Sequence, residues 1–183
     1  MPAPPSSPVF LTGMMGSGKS TLARLLGERW RAPVVDLDVR IARLFGRTIP
    51  ELFDLGEPEF RRCEAAALAS LLVEPGVRGR TVVIATGGGV VVDPTNRARM
   101  AAAGVVVHLA VDVDRLVERL TGPSLGDRPL LAGDPAVLRA RLEALAAQRA
   151  LAYASADLVV DGSGAPQDVL GRLLSALGGS EDP

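Results

Sequence analysis

The run Gly13-Met14-Met15-Gly16-Ser17-Gly18-Lys19-Ser20 fits the pattern G-x-x-x-x-G-K-[ST]. Glycines let backbone N–H groups turn inward and wrap phosphate oxygens, and a helix opening at Lys19 adds partial positive charge. Lys19 reaches the β- and γ-phosphates of a nucleotide, and the Ser20 hydroxyl is a ligand for Mg²⁺. Gly16, Ser17, Gly18, Lys19, Ser20 and Thr21 are the expected phosphate-binding residues. Of 20 basic residues only Lys19 is a lysine, which fits a place where a compact ammonium is hard to replace.

Other groups gather after the next apolar runs. Asp36 and Asp38 end Val34-Val35-Asp36-Leu37-Asp38, and residues two apart on an extended segment point the same way. At the carboxyl end of a strand, Asp36 can hold a water of the Mg²⁺ shell. Asp38 can orient an attacking hydroxyl and take its proton. Helix capping by Asp38 is the competing reading. Thr86-Gly87-Gly88-Gly89 follows the third apolar run and permits close backbone approach to a ligand. Arg61 and Glu64 are i,i+3 neighbours. A carboxylate on one edge of a guanidinium leaves the other edge for a ligand carboxylate, unless the two form an ordinary surface ion pair. Arg62 faces solvent on this reading. Arg149 falls on a stripe with Leu138, Leu142, Leu145 and Ala152 and calls for an anionic partner, internal or bound. Arg128 sits in a loop of three glycines, two prolines and a serine, 121–133. It is either a solvated charge or an arginine delivered to phosphate by a closing loop.

Elements able to position these groups alternate along the chain. Val9–Thr12, Val34–Leu37, Thr81–Thr86, Val105–Ala110 and Leu158–Val160 read as short buried strands. Lys19–Arg29, Val39–Leu44, Pro58–Val73, Asn96–Ala103, Asp114–Leu120, Pro135–Leu151 and Gln167–Leu177 read as helices. This alternation predicts a three-layer α/β/α domain over 9–178 with a parallel sheet covered on both faces. Residues 1–8 and 179–183 read as disordered tails.

Composition narrows the class. The net charge of −1 gives no reason to expect nucleic acid or membrane as a partner. No apolar run reaches the ~18 residues of a membrane helix. The single cysteine, Cys63, permits no intrachain disulfide and fits a reducing, cytoplasmic compartment. With one histidine, His108, and one cysteine, no zinc site is expected. His108 reads as a core residue with one hydrogen bond, and Trp30, Met14 and Met15 as packing.

Taken together, GMMGSGKS (13–20), DLD (36–38), FDLGEPEFRRCE (53–64), TGGG (86–89), RPLL (128–131) and Arg149 followed by Tyr153 resemble the shikimate kinase family from about Phe10 to Leu177. The resemblance implies a P-loop, NMP-kinase-like fold with sheet order 2-3-1-4-5 and a lid at about 121–133. It implies transfer of the γ-phosphate of ATP to the 3-hydroxyl of shikimate, and since no exposed apolar helix face stands out in the sequence a monomer is expected. It implies that Asp38, Arg61, Gly88 (with Gly87 and Gly89) and Arg149 hold shikimate. Arg128 would contact ATP phosphates, Pro166 adenine, and Ser20 with Asp36 one Mg²⁺. Lys19, Asp38 and Arg128 would be catalytic. The lid segment Gly122–Asp127 is slightly longer than the family pattern, and Arg119 is an offset match for the arginine ahead of it.

Overall fold

A computed structural model describes residues 3–122 and 134–178. Arg128, the RPLL run, most of the expected lid and the 179–183 tail lie outside these residues. Five strands, β1 (Val9–Thr12), β2 (Val34–Asp36), β3 (Val83–Ala85), β4 (Val105–Ala110) and β5 (Leu158–Asp161), form one parallel sheet of order β2-β3-β1-β4-β5. β1 is central, and all four of its residues are buried, as a strand covered on both faces requires.

Among the described residues eight α-helices flank the strands: α1 (Lys19–Trp30), α2 (Leu37–Phe45), α3 (Ile49–Asp54), α4 (Glu57–Leu72), α5 (Pro94–Ala103), α6 (Val113–Thr121), α7 (Pro135–Ala154) and α8 (Pro166–Gly178). The alternation along β1 divides them. Val9 and Leu11 share one core with Leu22 and Leu26 of α1 and Leu173 of α8. Phe10 shares the other with Ile41 of α2, Leu68 of α4, Met100 of α5, Leu116 of α6 and Leu142 of α7. Each fully buried leucine contributes ~1.5–3 kcal/mol relative to exposure. Gly27 interrupts α1 at a cost of roughly 0.5–1 kcal/mol relative to alanine. The packing explains it, because a Cβ there would stand 2.2 Å from Val34 Cγ2 and push α1 off β2.

Layers and strand order agree with expectation, while several boundaries do not. Leu37 opens α2 rather than ending β2, and β3 is shorter than Thr81–Thr86. The helix α3 and a 3-10 turn at Val90–Val92 were not anticipated. Thr48 and Glu51 form a capping box at the start of α3. The N-terminal segment expected as a tail is held at two points: Pro5 O accepts from Thr81 Oγ1 at 2.5 Å and Pro8 O from Val105 N at 2.9 Å.

His108 departs from the single-hydrogen-bond expectation. Its ring stacks on Tyr153 with centroids 4.2 Å apart and planes at 17°. Among the described residues its buried Nδ1 has no hydrogen-bond partner. Burial, and next the charge of Lys19, push its pKa from 6.5 down to about 4. Between those values the unfolded chain binds more protons than the folded one. The cost is therefore absent above about pH 6.5 and grows as the pH falls toward 4. At pH 4.5 it amounts to about 2 kcal/mol from this group. His108→Phe keeps a ring and removes the titration. Urea melts at pH 7 and 4.5 are expected to show wild type losing about 2 kcal/mol more than the variant between the two conditions; equal losses would contradict the assignment.

Candidate active site

β1 ends at Thr12, and the chain turns at once through Gly13, Gly16 and Gly18, with φ of 146°, 77° and 94°. These angles lie where residues with a Cβ are strained, so the loop needs glycine there. Gly18 is the N-cap of α1, and Lys19 is its first residue. Lys19 Nζ donates to Gly13 O at 2.9 Å and Met14 O at 2.8 Å, which folds the lysine back over the loop. The helix N-terminus, with its partial positive charge, faces a cavity of about 700 Å³. Gly16, Ser17, Gly18, Lys19, Ser20 and Thr21 all line it, with Asp36, Asp38, Gly88 and Pro166.

The two aspartates reach this cavity by a route different from the expected one. Asp36 ends β2 and is itself the N-cap of α2; its Oδ1 accepts from Asp38 N at 3.0 Å and Val39 N at 3.3 Å. Its Oδ2 accepts from Ser20 Oγ at 2.7 Å. One carboxylate thus starts a helix and meets the expected metal ligand. Capping belongs to Asp36, and Asp38 lies in the first turn of α2 rather than on a strand.

A second group of charges adjoins the first through the glycine triplet. A Cβ on Gly87 would lie 2.8 Å from Glu64 Oε1 and 2.9 Å from Asp38 Oδ1, and one on Gly89 2.2 Å from Arg61 Nη1. The triplet is glycine because carboxylates and a guanidinium occupy the space that side chains would need. Glu64 on α4 is 1% exposed, and its Oε2 accepts from Arg61 Nη1 at 2.8 Å. Burial pushes its carboxyl upward, opposed by the Arg61 charge. Its Oε1 is buried without a hydrogen-bond partner among the described residues. The pair is therefore not an ordinary surface one. The other edge of Arg61 is not free either: Nε and Nη2 donate to Glu57 Oε1 at 3.3 and 3.0 Å. Glu57 is 66% exposed, and such a pair is worth little and exchanges readily. Arg62 faces solvent beside Glu59, as expected.

Arg149 on α7 is 7% exposed and makes no ion pair within 4.0 Å among the described residues. Its Nη1 donates to Gly88 O at 3.0 Å, and its buried Nε has no partner. A guanidinium so placed suits a bound anion. Arg61, Arg149, Gly87 and Gly89 do not line the phosphate cavity; they stand beyond Gly88 and Asp38, which border it. Arg128 lies outside the described residues. Arg119 has a larger part than its offset position suggested. From the end of α6 it donates to Gly16 O at 3.2 Å, Ser17 O at 3.3 Å and Gly162 O at 2.8 Å. It ties the phosphate loop to the turn that precedes Pro166. Only a contact map could reveal that tie, because the three elements are far apart in sequence.

The arrangement is a nucleotide-phosphate cradle sharing a border with a recess of two arginines and two carboxylates. Comparison with known proteins shows the family. The shikimate kinase family model matches residues 15–178. A shikimate kinase of Geobacter metallireducens is 39% identical over 173 residues, covering 93% of this chain and 92% of the relative. One of Geobacter sulfurreducens is 43% identical over 159 residues, covering 85% and 82%. The solved shikimate kinase from Acinetobacter baumannii, in complex with shikimate, matches with a TM-score of 0.83 at 29% identity, covering 97% of this chain and 96% of that one. With its cradle, its sheet order and nearly its whole length in agreement, the chain belongs to the shikimate kinase family.

Proposed function

We propose that the protein transfers the γ-phosphate of ATP to the 3-hydroxyl of shikimate, giving shikimate 3-phosphate and ADP. The observation that carries this is the shared border at Gly88. On one side stands the Lys19 cradle and on the other Arg149, a buried guanidinium without an ion-pair partner among the described residues. Arg61 and Arg149 grip the carboxylate of shikimate, with Glu57 yielding its place on Arg61. Gly87, Gly88 and Gly89 let the ring approach the backbone. Asp38 orients the 3-hydroxyl and takes its proton as the new O–P bond forms and the bond from the γ-phosphorus to the β,γ-bridging oxygen breaks.

Gly16, Ser17, Gly18 and Thr21 bind the phosphates through backbone N–H groups, Lys19 neutralises them, and Pro166 meets the adenine. Arg128 adds positive charge at the transferring group. One Mg²⁺ fits the donor set: Ser20 Oγ and Asp36 Oδ2 are hard oxygen atoms 2.7 Å apart at the start of α1, and this ion takes few protein ligands beside phosphate and water. Ser20 would ligate it directly and Asp36 through a water, and the bound ion would offset charge on the β- and γ-phosphates. Catalysis by the chain itself is then positioning and charge neutralisation. The same reading makes the enzyme a cytoplasmic monomer with neither nucleic acid nor membrane as partner.

ADP release from ATP and Mg²⁺, with and without shikimate, tests the reaction. We expect shikimate-dependent ADP and a singly phosphorylated product by mass spectrometry. Folded, ATP-binding protein without that dependence would overturn the acceptor. Arg61→Ala and Arg149→Ala each remove hydrogen bonds to a charged ligand. Each should raise KM for shikimate roughly 10- to 100-fold and leave KM for ATP unchanged. Wild-type KM in both would mean that the carboxylate binds elsewhere. Lys19→Ala and Arg128→Ala should nearly abolish turnover in folded protein, as circular dichroism would check. Gly87→Ala inserts a methyl group between Glu64 and Asp38, and kcat should fall by at least ~10-fold, about 1.4 kcal/mol in the barrier, in protein that still melts cooperatively. A kcat within twofold of wild type would show that the crowding at Gly87 has no bearing on turnover.

A further inference from the structure

Gly88 has one carbonyl and two donors. Arg149 Nη1 reaches it at 3.0 Å and Tyr153 Oη at 2.7 Å. The two side chains lie four residues apart on α7 and so share a face. Tyr153 is 5% exposed, and burial pushes its phenol upward, so it remains a protonated donor at neutral pH. Its ring is held from below by His108 of β4, the 4.2 Å stack described above. His108 is beside Thr12 in the sheet register, one residue before the phosphate loop begins.

A trans peptide is planar, so its C=O and the following N–H point in opposite directions. Fixing the Gly88 carbonyl toward α7 therefore fixes the Gly89 N–H on the opposite side. Among the described residues neither the Gly88 nor the Gly89 N–H has a hydrogen-bond partner. Glycine peptides are the least constrained of all, and these have no side chain to set their plane. Something outside the triplet must hold them. We propose that Tyr153, braced by His108, is a positioning residue for the acceptor: its phenol locks the Gly88–Gly89 peptide plane and, through the shared carbonyl, the approach of Arg149. The inference rests on the shikimate reading, because the acceptor it positions is the one that Arg149 and the glycine triplet bind.

Tyr153→Phe is the direct test, since it keeps the ring on His108 and removes only the donor. KM for shikimate should rise about three- to tenfold, the size of one neutral hydrogen bond, while KM for ATP and kcat stay within roughly twofold. His108→Ala removes the brace but keeps the phenol and should raise KM for shikimate in the same direction. His108→Phe restores a ring and should bring it back. A purely structural role predicts otherwise: lower melting temperature, with both KM values unmoved or moved alike. Either of those patterns, or no rescue by His108→Phe, overturns the proposal. If Tyr153→Phe fails to fold, the two His108 variants decide by the same split. The wild-type assay separates the two readings. Shikimate-dependent turnover in wild type with an unchanged Tyr153→Phe sinks this inference alone. No shikimate dependence in wild type sinks both.

Discussion

The register of three parallel strands sets the geometry of everything described above. Leu11 of β1 lies beside Ala85 of β3, and Thr12 beside His108 of β4. The chain therefore leaves β1 and β3 at the same edge of the sheet, one strand spacing of about 4.8 Å apart. Two glycine-rich exits meet there, at the carboxyl ends of the strands, where such sheets place ligands. Buried hydroxyls hold the register at this edge: Thr12 Oγ1 donates to Val107 O and Thr86 Oγ1 to Leu11 O. A Cβ on Gly88 would lie 3.2 Å from Gly13 O, so the two loops are already in near contact. A slip of one residue would turn side chains to the opposite faces and part the phosphate cradle from the arginine recess.

Given that register, the recess is a problem in handling charge away from water. Glu64 is fully buried and Arg149 nearly so, which would be costly for either alone. Arg61 pairs with Glu64 directly, and Arg149 leans on a carbonyl instead of a carboxylate. The two arginines are thus held differently, Arg61 by carboxylates and Arg149 by a neutral carbonyl. α4 and α7 supply these groups from rigid helices, which holds the distances between them.

Much of this was readable from residue order. The strands of the sheet, the cradle and the buried stripe of α7 follow from hydrophobic period and one glycine pattern. The Arg61–Glu64 pair follows from helical spacing. Other features depended on packing that sequence does not display. Asp36 rather than Asp38 became the cap because the strand stopped one residue early. Glu57 took the edge of Arg61 expected to be open, since i,i+4 competes with i,i+3 on the same helix. The glycine triplet read as a place of close backbone approach to a ligand, and the crowding by Glu64, Asp38 and Arg61 where its side chains would stand was not foreseen. The α3 helix had a visible signal in Thr48-x-x-Glu51 that strand–helix counting passed over. Arg119 and His108 gain their contacts only through pairings distant along the chain.

The Tyr153 contact also has an optical side. The chain has one tyrosine and one tryptophan. Trp30 closes α1, about 16 Å along the helix from Lys19, and packs against the core on the other face of the sheet. Tyr153 is buried against His108 with its phenol hydrogen-bonded to Gly88. The near-ultraviolet spectrum therefore holds two separable chromophores, one at the far end of the first helix and one beside the glycine triplet. The indole band follows the packing of the α1 layer, while the phenol band follows the hydrogen bond to a single carbonyl, with no label introduced.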